Sequence, residues 1–304
     1  STQGYSSAAS DVYKRQISGI EKFRLITEDK NMAYYNIVTQ SNESTVVAEY
    51  TASPVRSEAY QSEADLEREF IALLKTQGYE YLPIHTEADL IINLRKQLEA
   101  LNGIQFTDSE WKRFFSVHIA NANESIVEKT RKLQEGDSRI NFKRDDGLTK
   151  NIALINKADI HANRLQVINQ YENNAGTYKN RYDVTVLVNG LPLVHIELKR
   201  RGVAIREAFN QINRYQRDSF WAECGLFEFV QVFIISNGTN TKYYSNTTRD
   251  NHIRDAKKSQ SAKKQRTSNS FEFTSFWADA NNRIIPDLID FTKTFFSKHT
   301  LLNI

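Results

Sequence analysis

Residues 181–200 read RYDVTVLVNGLPLVHIELKR, and this stretch decides the fold of the chain. Apolar residues alternate with other side chains on both sides of an Asn-Gly dipeptide at 189–190, which is typical of a tight turn between antiparallel strands. The pattern predicts a β-hairpin. The hairpin also carries Asp183, Glu197 and Lys199, where a purely structural hairpin would carry threonine or valine.

The turn decides which of these residues face each other. Strand alternation places His195, Glu197 and Lys199 on one side of the second strand. With a two-residue turn, Asp183 would lie diagonal to Glu197, whereas a three-residue loop or an equivalent bulge would pair the two carboxylates directly. We predict the loop or the bulge. Paired carboxylates repel unless a cation lies between them, and hard oxygen ligands of this kind suit Mg²⁺ or Mn²⁺.

This group of residues favours metal-assisted hydrolysis of a phosphodiester. Asp183 and Glu197 would hold the ion, and Lys199 would orient a water or stabilise the developing charge. The alternative is that an acid and a lysine two residues apart are solvated side chains of an edge strand. His195 could border the metal, although a strand histidine with a hydrogen-bonded partner is the more common case.

The rest of the chain shows helical and extended patterns. Apolar residues at helical spacing predict helices near residues 62–78 and 87–100, and two more between 108 and 136. Short alternating stretches predict strands at EKFRLI and MAYYNIV within residues 17–50, and further strands before the hairpin. A helix and a buried apolar strand follow the hairpin. The order indicates an α/β core with a mixed β-sheet flanked by helices.

Composition excludes several classes of protein. The 304 residues include 40 basic and 37 acidic side chains, a balance too even to diagnose nucleic-acid binding from totals. No stretch approaches the ~18 consecutive apolar residues of a membrane helix, so we expect no membrane partner. The single cysteine allows no internal disulfide and no cysteine-based zinc site, and a cytoplasmic location is therefore the default expectation.

Two polar segments divide the chain. Residues 1–16 are small and polar without periodicity, and the only methionine is Met32, so we interpret them as a non-native or disordered leader. Residues 249–270 are basic and nearly devoid of apolar side chains, which predicts an exposed loop or linker. A nuclease domain would then occupy residues 17–248, followed after the linker by a C-terminal segment at 271–304.

The ordered motifs resemble a known family. Asp183, the hairpin and then IELK match the PD-(D/E)xK nuclease motif, with Tyr182 where that motif has proline. QINRY matches the QxxxY extension of one branch of that superfamily and places Gln211 and Tyr215 on one helical face, with ordinary helix packing as the alternative. EADLEREFIALLKTQGYEYL, FIISNGTNTKYYSN and the C-terminal stretch extend the match to roughly residues 45–304. Together these motifs resemble the N-terminal part of the restriction (R) subunit of type I restriction-modification enzymes.

The resemblance implies further site residues. The first core helix of such nucleases often supplies an acid to the metal, which implies Glu67, with Glu63 one turn earlier as the alternative. An acid near a helix start is also explained by the helix dipole alone. Lys199, Arg200 and Arg201 would contact the DNA backbone beside the scissile phosphate.

The implied activity is that of a Mg²⁺-dependent endonuclease on duplex DNA, in a complex with separate modification and specificity subunits. In this family an ATP-driven motor follows the nuclease domain. This chain has no Gly-x-x-x-x-Gly-Lys-Ser/Thr loop, so ATP would act only through a motor domain absent from it. Two other functions remain open: a catalytically silent DNA-binding or assembly module, and a PD-(D/E)xK nuclease of DNA repair.

Overall fold

The computed structural model describes residues 34–41, 44–51, 61–173, 180–218, 225–247, 271 and 273–304. The predicted leader at 1–16, the predicted strand EKFRLI and the basic segment at 249–270 lie outside these residues. In the part of the chain that is described, no helix combines the length and apolar character needed to cross a bilayer.

Two small hairpins lie outside the main sheet. The first pairs β1 (Tyr34–Ser41), which contains most of the predicted strand MAYYNIV, with β2 (Ser44–Thr51). The second pairs β4 (Arg139–Lys143) with β5 (Thr149–Ala153). Both hairpins are antiparallel two-stranded sheets.

Four helices occupy the stretches predicted to be helical: α1 Glu63–Thr76, α2 Glu87–Asn102, α3 Asp108–Phe114 and α4 Ile126–Gln134. Each begins after a serine or threonine whose hydroxyl accepts a backbone N–H of the first turn. The third is capped by Thr107, which forms a reciprocal capping box with Glu110. This helix continues as a π-helical turn over Phe115–Ile119.

The main sheet contains β3 Glu80–Tyr81, β6 Leu165–Asn173, β7 Asn180–Val188, β8 Leu191–Leu198, β9 Val232–Ser236 and β10 Thr241–Ser245. Its strand order is β10-β9-β8-β7-β6-β3. The β3–β6 and β8–β9 pairs are parallel and the other pairs are antiparallel. The hairpin strands β7 and β8 therefore lie at the middle of a mixed sheet and are almost entirely buried.

A bulge in the hairpin sets its register. Val188 pairs with Leu191, so the turn has two residues, and both adopt left-handed backbone angles with φ of 50° and 82°. Further along, the register shifts by one residue, so that Val184 pairs with Ile196. One step beyond that pair, Asp183 comes level with Glu197. The predicted bulge is therefore confirmed, and the three-residue loop is not needed.

The remaining helices complete the core. They are α5 Ile205–Asp218, α6 Leu288–Phe295 and α7 Lys298–Asn303. The C-terminal segment joins the core through Phe291, Phe295 and Phe296, which are fully buried. The ring of Phe296 contacts Phe70 of α1 edge-on, and its carbonyl accepts a hydrogen bond from the Tyr79 hydroxyl at 2.8 Å. The predicted α/β architecture, a mixed sheet flanked by helices, is confirmed.

Candidate active site

Two carboxylates meet where β7 and β8 diverge. Glu197 is fully buried, and Asp183 lies level with it on the neighbouring strand. The Asp183 carboxylate occupies the position that a β7 carbonyl would take, because its Oδ2 accepts the backbone N–H of Leu198 at 2.9 Å. The hairpin therefore brings together the two acids that its sequence places 14 residues apart.

The surroundings of this pair disfavour its negative charges. Burial, followed by repulsion from Glu197, raises the pKa of Asp183 well above its usual value. Burial also raises the pKa of Glu197 to about 8, although Lys199 opposes the shift. Oε2 of Glu197 is sealed from solvent and accepts no hydrogen bond from the described residues. A buried acceptor in this state is costly, which indicates a site designed for a further cationic or hydrogen-bonding partner.

Lys199 supplies the positive charge nearest to the pair. Its Nζ lies 3.4 Å from Oε1 of Glu197 and 3.8 Å from Oε2 of Glu63 on α1. Its backbone N–H donates to the carbonyl of Ser236 on β9 at 2.8 Å, which fixes the strand end. The Lys199 side chain is 12% exposed, whereas that of Glu63 is about half exposed.

His195 lies behind Glu197. Its Nε2 is 3.6 Å from Oε2 of Glu197, and its ring packs against Tyr182, Tyr215 and Phe233. Burial lowers the pKa of His195 to about 3, so the imidazole is neutral at physiological pH. The histidine thus borders the acidic pair, on the same side of the strand as Glu197 and as the alternation predicts.

The QxxxY residues hold the strand that carries Asp183. Gln211 donates a hydrogen bond to the Tyr215 hydroxyl, and that hydroxyl donates to the carbonyl of Arg181 at 2.9 Å. Burial raises the pKa of Tyr215, which keeps the hydroxyl protonated and able to donate. The two residues therefore anchor β7 two positions before Asp183.

The structure separates the two candidate acids of α1. Glu63 lies beside Lys199, with its carboxylate about half exposed at 49%. Glu67 is only 9% exposed, and its carboxylate accepts hydrogen bonds from the side-chain amides of Asn169 and Gln170 on β6. The metal-ligand role of Glu67 therefore stays a prediction, and the helical acid whose carboxylate lies beside Lys199 is Glu63.

The two arginines after Lys199 have different surroundings. Arg200 is exposed beside the cluster and remains a candidate for phosphate contact. Nε of Arg201 donates to the side chain of Gln61 at 3.1 Å, which ties the end of β8 to the approach to α1. Sequence reasoning missed the amide side chains of Gln61, Asn169 and Gln170, because a lone amide carries no motif and gains meaning only from its partner.

The residues present fit a divalent cation. The pKa values of both facing carboxylates stay raised although Lys199 lies beside them, and Oε2 of Glu197 is a buried oxygen without a hydrogen-bond donor among the described residues. Across the described part of the chain, no three His, Cys, Asp or Glu side chains converge into a complete ligand set. Mg²⁺ commonly needs only one or two protein carboxylates, with water and substrate phosphate completing its octahedron.

The fold and this site together define a protein of the restriction-endonuclease-like class. The family model described as "Type I restriction enzyme R protein N terminus" matches residues 60–252, more than half of the chain. The chain therefore belongs to the family of type I restriction enzyme R proteins, as the N-terminal part of such a protein. This confirms the family and the enzyme class that the motifs predict.

Curated relatives agree with the family model. The chain is 48% identical to the type I restriction enzyme EcoprrI endonuclease subunit of Escherichia coli over 268 residues, covering 88% of this chain and 80% of the relative. It is 39% identical to the SsaAORF53P endonuclease subunit of Staphylococcus saprophyticus over 78% of this chain and 23% of the relative. For the SauMSSORF170P subunit of Staphylococcus aureus, the identity is 40% over 62% of this chain and 20% of the relative. The chain thus spans about a quarter or less of the staphylococcal proteins.

Proposed function

We propose that the chain is the DNA-cleaving module of a type I restriction complex and hydrolyses phosphodiester bonds of duplex DNA with Mg²⁺ or Mn²⁺. The observation that carries this proposal is the convergence of Asp183, Glu197 and Lys199 at the middle of the sheet. The curated relatives are named endonuclease subunits of type I restriction enzymes, which supports the same conclusion.

Each residue of the cluster has a role that follows from its position. Asp183 and Glu197 would hold the cation, which when bound would lower the pKa of a water and polarise a phosphate oxygen. Lys199 would stabilise negative charge on the phosphate and orient the attacking water, since its ammonium group lies beside the acidic pair, 3.4 Å from Oε1 of Glu197. Arg200 and Arg201, which follow Lys199 directly in the chain, would bind the DNA backbone.

Partners of the chain follow from the same proposal. Cleavage as part of a restriction complex requires modification and specificity subunits for sequence recognition, and a motor domain that binds ATP outside this chain. The chain would then act in the cytoplasm, where the DNA is. Lys199 and Arg200 suit phosphate oxygens, which carry no sequence information, so sequence recognition would belong to the specificity subunit.

The test is charge-removing substitution in the assembled complex. We expect Asp183→Ala and Lys199→Ala each to abolish cleavage of a plasmid that carries the recognition site, while ATP hydrolysis continues. ATP hydrolysis is the control for assembly and DNA binding. Cleavage that survives either substitution would exclude the proposed site.

Metal titration separates the nuclease from a silent module. Calorimetric titration of Mn²⁺ into the protein should show binding that disappears with Asp183→Ala. A DNA-binding or assembly module with a vestigial site would show no carboxylate-dependent binding. A nuclease of DNA repair would instead cleave without modification and specificity subunits.

A further inference from the structure

Gln170 has an unusual backbone conformation in the middle of a strand. Its φ angle is 53°, in the left-handed region, although it lies within β6. A residue other than glycine costs about 1–2 kcal/mol in this conformation. Such a conformation persists only where surrounding contacts enforce it, and these conformations cluster at functional sites.

The register places Gln170 opposite the candidate metal ligand. Its neighbours Asn169 and Tyr171 pair with Val184 and Tyr182 of β7. The residue between those two partners on β7 is Asp183. The backbone of Gln170 therefore borders the backbone of Asp183, and a change of conformation at one position displaces the other.

Two side chains from outside the sheet hold Gln170 in place. Its side-chain amide donates to the carboxylate of Glu67 on α1, and the same carboxylate accepts the amide of Asn169. On the other side, Nδ1 of His85 lies 3.3 Å from the Gln170 carbonyl, and the His85 carbonyl accepts the N–H of Glu172 at 3.0 Å. An ionised carboxylate only accepts hydrogen bonds, so Glu67 fixes both amides with their nitrogens toward α1.

We propose that Glu67 is a positioning residue that holds Gln170 in the left-handed conformation and thereby places Asp183 for catalysis. The inference rests on the proposed nuclease function, and it gives Glu67 a purpose that needs no contact with the metal. It also explains why a helix acid is buried against two amides while Glu63, one turn earlier, reaches Lys199.

A pair of substitutions at one position tests the conformational part. Gln170→Ala and Gln170→Gly both remove the amide that Glu67 binds, but only glycine adopts a positive φ without cost. In the assembled complex, we expect Gln170→Ala to lower the cleavage rate about tenfold, since small misplacement of catalytic groups has effects of this size or larger. Gln170→Gly should stay within about threefold of the unsubstituted enzyme.

Glycine rescue tests the role of Glu67 itself. Glu67→Gln turns one acceptor into an amide that faces another amide, and we expect a loss of about tenfold in cleavage rate and weaker Mn²⁺ binding by calorimetry. Adding Gln170→Gly to Glu67→Gln should restore both, because residue 170 then needs no support. Glu63→Gln is the matched control, because Glu63 contacts Lys199 and not Gln170. Any cleavage that Glu63→Gln loses should not be restored by adding Gln170→Gly.

The outcomes separate the possible roles. If Glu67 were a metal ligand, Mn²⁺ binding by Glu67→Gln would stay weak with or without Gln170→Gly, and the inference would be overturned. If Glu67 only stabilised the fold, Glu67→Gln would lower the unfolding temperature and leave the cleavage rate of folded enzyme unchanged, which would also overturn it. Equal cleavage by Gln170→Ala and Gln170→Gly would do the same. Failure of the nuclease assignment is seen separately, as cleavage that survives Asp183→Ala.

Discussion

Two buried carboxylates in this chain have opposite surroundings. Glu110, at the start of α3, is 2% exposed and accepts four hydrogen bonds, from the backbone of Thr107 and Asp145 and twice from the guanidinium of Arg144. These partners, led by Arg144, lower the pKa of Glu110 to about 2. Glu197 is also buried, but its pKa is raised to about 8 and its Oε2 accepts no hydrogen bond from the described residues.

The difference teaches how to tell a structural acid from a functional one. Burial disfavours a charge in both places, and only at Glu110 do hydrogen bonds and an arginine offset that cost. An acid that stabilises the fold is fully bonded within the fold. An acid whose charge is left poorly compensated destabilises the folded chain and is explained by a partner that arrives later.

Glu197→Gln should have the largest effect, and that effect is a loss of cleavage. We expect at least a 100-fold lower cleavage rate in the assembled complex, because a carboxylate proposed to hold the cation is lost. At high pH the same substitution should stabilise the folded chain. The pKa of Glu197 is raised in the folded chain. The carboxyl group therefore lowers the stability of the folded chain as the pH rises from 4.5, the ordinary pKa of the group, through about 8.

Thermal unfolding without divalent cations checks that sign. At pH 9 the Glu197→Gln variant should unfold at a higher temperature than the unsubstituted chain, and at pH 4 the two should be equal. A variant that is destabilised at pH 9 would mean that Glu197 is a structural acid like Glu110.

Glu110→Gln should show the reverse pattern. Loss of the charged hydrogen bonds to Arg144 should lower the free energy of unfolding by about 1–3 kcal/mol at pH 7. Cleavage per folded molecule should be unchanged, because Glu110 joins α3 to the end of β4 and not to the acidic pair. Denaturant titration and cleavage assays on the same preparation measure both quantities. If Glu110→Gln lost cleavage at unchanged stability, Glu110 would not be a structural acid, and the distinction from Glu197 would be wrong.

The contribution of Glu110 to the free energy of unfolding should also depend on pH, in the opposite direction to that of Glu197. Its pKa is lowered in the folded chain, so its contribution to stability is present above about 4.5 and is lost as the pH falls toward about 2. The difference in unfolding free energy between the unsubstituted chain and Glu110→Gln should therefore narrow across this range. A difference that stayed constant down to pH 2 would show that the charge of Glu110 contributes nothing.

Tyr215→Phe should have a smaller effect on cleavage than Glu197→Gln. It removes the hydroxyl that accepts from Gln211 and donates to the carbonyl of Arg181, and we expect cleavage to fall about threefold to tenfold as β7 loses its anchor near Asp183. Tyr79→Phe is the matched control, because it also removes a hydroxyl that donates to a buried carbonyl, that of Phe296. The control should lose similar stability with no change in cleavage. Equal cleavage by both variants would leave the QxxxY tyrosine with a packing role only.

The hairpin shows how far sequence reasoning reaches. The Asn-Gly turn, the alternation of apolar residues and the need to pair two acids with one cation predicted the bulge that the register contains. Its position next to Pro192 could not be deduced, since a bulge anywhere between the turn and Asp183 satisfies the same parity. The QxxxY pair was predicted to share a helical face, but its target, the Arg181 carbonyl, depends on how α5 packs on the sheet.

The acids of α1 show where sequence reasoning stops. Glu63 and Glu67 lie four residues apart on one face of a helix, so periodicity treats them alike. What distinguishes them is the amide pair on β6, about 100 residues later in the chain, which binds Glu67. No sequence signal marks Gln170 as left-handed, because that conformation is usual for glycine or asparagine and arises here from contacts.

The sequence by itself determined the helices and central strands, because caps, turns and alternation are local and involve side chains a few positions apart. Its motifs also predicted the family. Only the tertiary structure decided that Asp183, Glu197, Lys199 and Glu63 share one place, that Glu67 turns toward β6, and that one buried acid is satisfied while another is not. The physical reason is that pKa values, strain and ligand geometry depend on distances between residues far apart in the chain, and those distances are set by packing.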